Sequence, residues 1–323
     1  MLENEPLKLI RNKNFSELLN SLRSSGEASI AQLANENPGG ITTVKKYIQQ
    51  ALEEKMIEEA GEAESTGGRK AMKYRIRPDY QHFLILIVDN NSLLSLVYDF
   101  NMRVVSKNTI EFEISDFLTA LHTSMEAASK DHPIGTICVS MPCVIKDGVI
   151  IDWYYNPSLV GTNIEKILEE KYKTNVLIQN DMKLTVLGES KTHNGASNIV
   201  TAQFNHNGIG VGEMVNGHVL EGSSGFAGEV GYMNTGRKEV SNTTYLSRII
   251  RSVIVCINPE IIVFYSLNNP KKLKKIFEEA TKGLPRYAIP EFFMRENYAQ
   301  SIALGFLTLI NKCGFFKKTE EIV

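Results

Sequence analysis

Residues 56–78, MIEEAGEAESTGGRKAMKYRIRP, decide how the first part of the chain is read. Met56 to Ala60 has the alternation of a short strand, Gly67 and Gly68 permit a tight tip, and the run through Tyr74 to Ile76 returns as a second strand. Arg69, Lys70, Lys73, Arg75 and Arg77 concentrate positive charge on this hairpin amid acidic flanks. An arginine at such a tip suits a DNA minor groove, where the potential is most negative and the guanidinium sheds its hydration cheaply. Arg69 is therefore the first candidate contact, with Lys70 beside it.

Working back from the hairpin, three short helical patterns precede it. Leu18, Leu19 and Leu22 give the first an apolar stripe from Asn14 onward, closed by Ser24, Ser25 and Gly26. Ser29 is placed to cap a second helix with Ile30, Leu33 and Ala34 facing inward. Asn37, Pro38, Gly39 and Gly40 break the chain before a third, in which Val44, Ile48 and Leu52 recur every four residues. Its opposite face carries Thr42, Thr43, Lys45, Lys46 and Gln49, whose hydroxyls, amide and amines reach phosphates and base edges in a major groove. Two lysines alone equally describe a solvated helix. Three helices followed by a basic hairpin, however, form the winged helix-turn-helix pattern, which is expected over residues 1–80.

Composition sets the wider frame. A chain of 323 residues with 43% hydrophobic and 22% charged residues predicts a globular protein of two or three domains. A formal charge of -2 excludes a globally basic nucleic-acid coat but permits a local basic face. No apolar run approaches the roughly 18 residues needed to cross a bilayer, and MLENEPLKLIRNKN lacks a signal-peptide core. A cytoplasmic protein is expected. Cys138, Cys143, Cys256 and Cys313 have no C-x-x-C spacing and are expected as free thiols.

From His82 the periodicity changes. HFLILIVD, SLLSLVYDF and RVVSKNTIEFEI read as successive strands before a helix from about Ser115 to Ser129. GTICVS, a hairpin around Lys146 to Gly148, a helix from Asn163, the strand VLIQ and another helix follow, the alternation of an α/β body over residues 81–323. Trp153, Tyr154 and Tyr155 beside Asn156 are expected to pack rather than stack on a ligand. Isolated His206 and His218 lack metal-ligand spacing and are assigned no role.

Several segments carry a resemblance to the ROK (repressor, open reading frame, kinase) family. Ser65 to Arg69 resembles the Ser-Thr-Gly-Gly-Arg wing of its repressors, although Pro38, Gly39 and Gly40 stand where that family has a more ordinary helix entrance. The body resembles the family's two-lobed, actin- and hexokinase-like fold from Asp89 almost to the C-terminus. Asn180 and Asp181 match the motif supplying a sugar ligand and catalytic base. Gly208, Ile209, Gly210 and Gly212 match a phosphate loop, GSSGFAGEVG at 222–231 matches the run that ends Gly-Glu-x-Gly-His, Asn258 to Ile261 resembles the start of a late strand, and SIALGFLTL resembles the closing helix.

The resemblance implies a fold with ligands between its lobes, and it exposes departures. A sugar kinase needs a base, backbone donors around phosphates and a bridging metal. Here Asn90, Asn91, Ser92 and Leu93 follow Asp89 where a glycine-rich loop is expected. Asn205, His206 and Asn207 replace Gly-Thr-Gly, and Tyr265 and Ser266 replace a glycine pair bordering the adenine. Tyr232 stands at the histidine of the family's zinc site, and NTGRKEVSNTTYLSR contains no cysteine. Neither phosphoryl transfer nor zinc is therefore expected, and no cofactor is assigned. For an effector, the resemblance implies Asn156, Asn180, Asp181 and Glu229 as hydroxyl ligands with Tyr232 nearby, although Cys143 stands where a glycine is usual.

The reading that follows is a transcriptional regulator, repressor-like and concerned with carbohydrate genes. It would bind a palindromic operator in double-stranded DNA as a homodimer or homotetramer, with a sugar or sugar derivative between the lobes. An alternative is a sugar kinase with a DNA-binding appendage. Another is a ligand-independent regulator whose body serves only for oligomerisation or partner docking.

Overall fold

The computed structural model describes residues 5–37, 39–62, 71–89, 91–193, 195–205, 208–233, 242–265, 269–296 and 298–313. The first segment holds α1 (Glu5–Ser25), β1 (Ala28–Ser29), α2 (Ile30–Glu36), α3 (Gly40–Glu53), β2 (Ile57–Glu62) and β3 (Met72–Ile76). The three strands form one small sheet in the order β1-β3-β2, with both pairings antiparallel. α1 starts well before the Asn14 expected from its leucines. α2 begins on a capping box: Ser29 Oγ accepts from the Gln32 N–H and Gln32 Oε1 accepts from the Ser29 N–H. The sharp break before α3 is met by Gly39, in the left-handed region at φ 97° as the N-cap. Val44, Tyr47, Ile48 and Ala51 are then buried on one face of α3.

Two five-stranded sheets make up the body. The first contains β4 (His82–Asp89), β5 (Ser92–Tyr98), β6 (Val104–Glu111), β7 (Ile134–Met141) and β10 (Asn175–Asn180), in the order β10-β7-β4-β5-β6. Its helices are α4 (Phe117–Asp131) and α5 (Ile164–Tyr172), and β8 (Val144–Lys146) pairs with β9 (Val149–Asp152) at its edge. β4, β7 and β10 run parallel, and His82 to Val88 are buried throughout, as a strand covered on both faces requires. Trp153 packs edge-on against Phe117 at 4.8 Å, which assigns it to the core of this lobe.

The second sheet has the order β13-β12-β11-β14-β15. It comprises β11 (Ile199–Asn205), β12 (Gly208–Val215), β13 (His218–Val219), β14 (Ile261–Tyr265) and β15 (Glu291–Arg295), with α7 (Thr243–Ile257) and α8 (Pro270–Thr281) on one face. The remaining helices, α6 (Asp181–Thr192) and α9 (Ala299–Cys313), pack against each other. Residues Asp181 to Glu189 are all buried, because α6 touches strands of both sheets as well as α9. The α6–α9 crossing is backbone to backbone: a Cβ on Gly188 would lie 1.9 Å from the Ser301 carbonyl oxygen, and one on Gly305 would lie 2.4 Å from that of Leu184.

One apolar cluster ties the first segment to the body. Phe15, Leu18, Leu19 and Leu22 of α1 share it with Ile302, Ala303, Phe306 and Ile310 of α9 and with Phe83, Ile85 and Ile87 of β4. Each of these buried leucine, isoleucine and phenylalanine side chains contributes about 1.5–3 kcal/mol. Arg23 reinforces the joint: its Nε and Nη2 donate to the Phe100 carbonyl at 3.1 and 2.9 Å, and its guanidinium lies 5.6 Å from the centre of the Phe100 ring. Burial lowers Arg23 to about 10 against the opposing pull of Asp99, so it remains charged. Among the described residues, no helix is long and apolar enough to cross a membrane. Cys138, Cys143 and Cys256 are free thiols.

Candidate functional site

The site is built where strands of both sheets end beside the N-terminus of α6. Asn180 closes β10 and caps α6, its Oδ1 accepting from the Lys183 N–H at 3.1 Å while its Nδ2 donates to the Cys143 carbonyl at 3.0 Å. Both ends of this amide are spent on the fold. Asp181, 6% exposed, accepts from the Met182 N–H at 2.7 Å. Burial pushes Asp181 up to about 7; the neighbouring carboxylates of Glu229 and Asp89 push the same way, and the Met182 N–H opposes them. Glu229 is likewise raised by burial, with Lys183 pulling it down and Asp152 pushing it up.

The glycine-rich run matters here through its backbone. Gly225 and Gly228 have φ of 81° and 86°, and a Cβ would meet the carbonyl oxygen of Ile145 in one case and of Val211 in the other, at 2.4 and 2.2 Å. The segment that presents Glu229 is thereby pressed against β8 of one lobe and β12 of the other. Gly212 lets β12 approach the first turn of α6, since a Cβ there would lie 2.0 Å from the Met182 carbonyl oxygen. Packing is what that glycine does in this chain.

Other expected residues are placed apart from the carboxylates or in different company. Asn156 is buried, with Nδ2 donating to the Ile114 carbonyl at 2.9 Å and Oδ1 accepting from Ser158, so its side chain holds a loop together. Tyr232, 61% exposed, donates to Asp152 and lies against Phe226. Thr42, Lys45, Lys46 and Gln49 lie exposed on α3, and Thr43 donates to the Gly39 carbonyl at 2.8 Å. Gln49 donates to Glu53 at 2.9 Å. Arg69, Lys70, His206, Asn207 and Ser266 lie outside the described residues, as does most of the stretch between Tyr232 and α7.

Three residues of this region, Lys183, Tyr298 and Glu189, were not singled out from sequence. Lys183, buried on α6, donates from Nζ to the Gly225 carbonyl at 2.7 Å, tying α6 to the segment that carries Glu229. Tyr298 exchanges hydrogen bonds with Asp89 at the end of β4 and with Gln203 on β11. Burial, with Asp89 and Asp181 nearby, raises its phenol far above the usual tyrosine range, so the hydroxyl stays protonated. Glu189, 1% exposed, accepts from Tyr265 at 2.8 Å and Ser301 at 2.7 Å on one oxygen, and its other oxygen faces Thr192, His193 and Arg295. Despite burial it is held below the usual glutamate range by those hydroxyls and Arg295. Tyr265 thus turns toward α6 and α9. Only Asp89, last in its strand, carried a sequence signal; the others depend on partners distant in the chain.

Comparison with known proteins agrees with this arrangement. A ROK family profile matches residues 97–245. The xylose repressor of Bacillus subtilis (strain 168) is 25% identical over 239 residues, covering 69% of this chain and 61% of the repressor. The DNA-binding transcriptional dual regulator NagC of Escherichia coli (strain K12) is 22% identical over 237 residues, covering 70% of this chain and 58% of NagC. The chain thus spans about three fifths of the length of these relatives. Among solved structures, a ROK family transcriptional regulator, a homologue of the E. coli MLC protein, superposes with a TM-score of 0.70 at 15% identity, covering 95% of this chain and 100% of that one. A ROK hexokinase from Thermus thermophilus superposes with a TM-score of 0.55 at 18% identity, covering 71% of this chain and 99% of that one. The profile match and the two superpositions converge on one statement: the chain carries a ROK family domain within a mixed α/β body of hexokinase-like fold.

Proposed function

We propose that this protein is a DNA-binding transcriptional regulator of carbohydrate-related genes, repressor-like, acting in the cytoplasm without catalysing a reaction. The observation that carries the reading is the first segment: α1, α2 and α3 followed by the antiparallel β2–β3 pair, with Thr42, Lys45, Lys46 and Gln49 on the exposed face of α3. Residues 1–80 are read as a winged helix-turn-helix domain, α3 as the helix that enters the major groove, and Arg69 and Lys70 as minor-groove and phosphate contacts of the wing. The repressor names of the relatives support the same function.

The body, residues 81–323, is read as the sensing and assembling part. Two copies would place two α3 helices in successive major grooves, about 34 Å apart, on a palindromic operator. A sugar bound at Asp181 and Glu229 would bias α6. That helix crosses α9 through Gly188 and Gly305, and α9 packs on α1, so a shift at the site reaches the DNA-reading segment through contiguous packing. This mechanism needs a sugar that binds the two arrangements with different affinity. Against phosphoryl transfer stands Tyr298, whose hydroxyl joins Asp89 to Gln203 between the two segments that would have to admit nucleotide phosphates.

DNA binding tests the proposal directly. Fragments enriched from genomic DNA by the purified protein should bind with a steep salt dependence, and Lys45→Ala or Arg69→Ala should each lower the slope of log K against log salt by about 1. A protein that enriches no sequence, or variants that bind as tightly as the parent at every salt concentration, would refute it.

A further inference from the structure

The second sheet ends in an open edge whose chemistry matches a second copy of itself. β15 pairs with β14 on one side and is the last strand of its sheet among the described residues. The Glu291 N–H donates to the Glu260 carbonyl at 2.9 Å, so Glu291, Phe293 and Arg295 turn their backbone groups toward β14. By the alternation of a parallel ladder, Phe292 and Met294 turn their N–H and C=O groups outward. Natural edges are commonly blunted by a charge within the strand. β6, an edge of the first sheet, has the exposed Lys107 at mid-strand. Between Glu291 and Arg295, β15 has only Phe292, Phe293 and Met294, with Met294 42% exposed. The exposed Tyr287 and Ile289 continue this apolar rim just before the strand.

The order of the charges names the partner. Laid antiparallel on a copy of itself with Phe293 facing Phe293, the strand sets Glu291 opposite the partner's Arg295, and Arg295 opposite the partner's Glu291. The same register sets Phe292 opposite the partner's Met294, so the outward N–H and C=O groups of one copy meet those of the other. Slipping by one residue sets outward groups against inward ones, and slipping by two loses both charge pairs. The faces agree as well. The Phe293 ring lies 4.5 Å from that of His193 at the end of α6, whereas Phe292 stacks at 4.3 Å on Phe277 of α8. The charge pairs therefore flank the two Phe293 rings on one face, and Met294 covers the partner's Phe292 on the other. Arg295 has room for the contact: its side chain is 38% exposed while Nη2 stands 3.5 Å from Glu189. Glu291 is exposed. On the α8 face the same axis runs two α8 helices antiparallel. That brings Lys271, Lys272, Lys274 and Lys275 of one copy toward the acidic second half of the other, which carries Glu278 and Glu279.

We propose that β15 is a homodimer interface, joining the second sheets of two copies into one continuous sheet about a two-fold axis at Phe293. This rests on the regulator reading only in that such a regulator needs two copies; the surface is self-complementary without DNA.

Light scattering from the full chain at micromolar concentration should give twice the chain mass or a multiple of it. Glu291→Lys, which sets like charges opposite each other on both sides of the axis, should raise the dimer Kd about tenfold, and less at high salt. Met294→Lys, a charge at the middle of the edge, should raise it about 100-fold or leave only monomer. Both positions are exposed, so the circular dichroism of each variant should stay that of the parent. The register is read by cross-linking in a Cys256→Ser, Cys313→Ser background with diamide as oxidant. Phe293→Cys should link two chains through a disulfide, because a residue facing its own copy in a non-hydrogen-bonded pair lies about 4.5 Å away between Cα atoms. Met294→Cys, which faces the partner's Phe292, should not. A monomeric parent overturns the proposal, as does a dimer that both lysine variants leave intact. A folded Phe293→Cys dimer that does not cross-link also overturns it, and if that variant fails to fold the lysine variants decide. DNA enrichment by the same preparation separates the two readings: a monomer that still enriches discrete sites refutes the interface and leaves the regulator standing, and a dimer disrupted by both lysine variants that enriches none does the reverse.

Discussion

Replacing Gly188 by alanine asks how tightly the site helix is bound to the helix that carries α1. A methyl group at 188 would lie 1.9 Å from the Ser301 carbonyl oxygen, 2.7 Å from its carbon and 3.0 Å from its Cα, all backbone atoms that cannot rotate away. Ordinary contact needs about 3.5 Å, so α6 and α9 would have to separate, stretching the Ser301 to Glu189 hydrogen bond of 2.7 Å as well. Overpacking costs about 1–3 kcal/mol, and a clash with rigid backbone belongs at the top of that range; the better helix propensity of alanine returns about 1 kcal/mol. A net loss of about 2 kcal/mol lowers Tm by about 4–8 °C. The control is Gly283→Ala, beyond α8, where φ is +76° and nothing lies within 4 Å, so only left-handed strain remains, about 1–2 kcal/mol. Differential scanning calorimetry of both variants, with hydrogen exchange along α1, provides the assay. Gly188→Ala should destabilise at least as much as the control and should also raise exchange in α1, which the control should not. A Gly188→Ala protein with the parent's Tm and α1 protection would refute the idea that α6, α9 and α1 move as one packed unit.

Arg23→Ala removes two hydrogen bonds to the Phe100 carbonyl and the ring contact beneath it, and should cost about 1.5–3 kcal/mol, read as a lower Tm and faster exchange in α1; Arg23→Lys should rescue little, because an ammonium cannot reproduce the planar fork. Asp181 supplies a pH dependence. Its folded value near 7 lies above the ordinary 3.8, so the folded state holds the proton more firmly, and this contribution to stability is present below about pH 4 and lost as pH rises to 7. Asp181→Asn should therefore raise Tm at pH 8 relative to the parent, with the gain gone at pH 4; an equal change at both pH values would contradict the assignment.

Much of the architecture was legible because it rests on local chemistry. The four-residue recurrence of Val44, Ile48 and Leu52, the break at Gly39 and Gly40, and the Ser29 to Gln32 capping box set α2 and α3 where expected. HFLILIVD marked β4 as a strand and GTICVS marked β7 as a buried one. The site was legible in part: Asp181 and Glu229 do come together, since the strand-to-helix step and the glycine run fix each backbone locally. Asn156 and Asn180 are amides that spend their side chains on neighbouring backbone, and residue type alone does not distinguish such an amide from a ligand. Tyr298, Lys183 and Glu189 act through partners far away in sequence, such as Asp89, Gly225 and Ser301, and no spacing rule reports such pairs.

The most direct test of the central claim is genome-wide mapping of the DNA bound by the native protein in its own cells, alongside a Lys45→Glu, Lys46→Glu double variant that reverses the charge on the exposed face of α3. Discrete palindromic sites beside carbohydrate genes, all lost in the variant, are the expected result. Uniform background occupancy by the native protein, or the same sites retained by the variant, would contradict it.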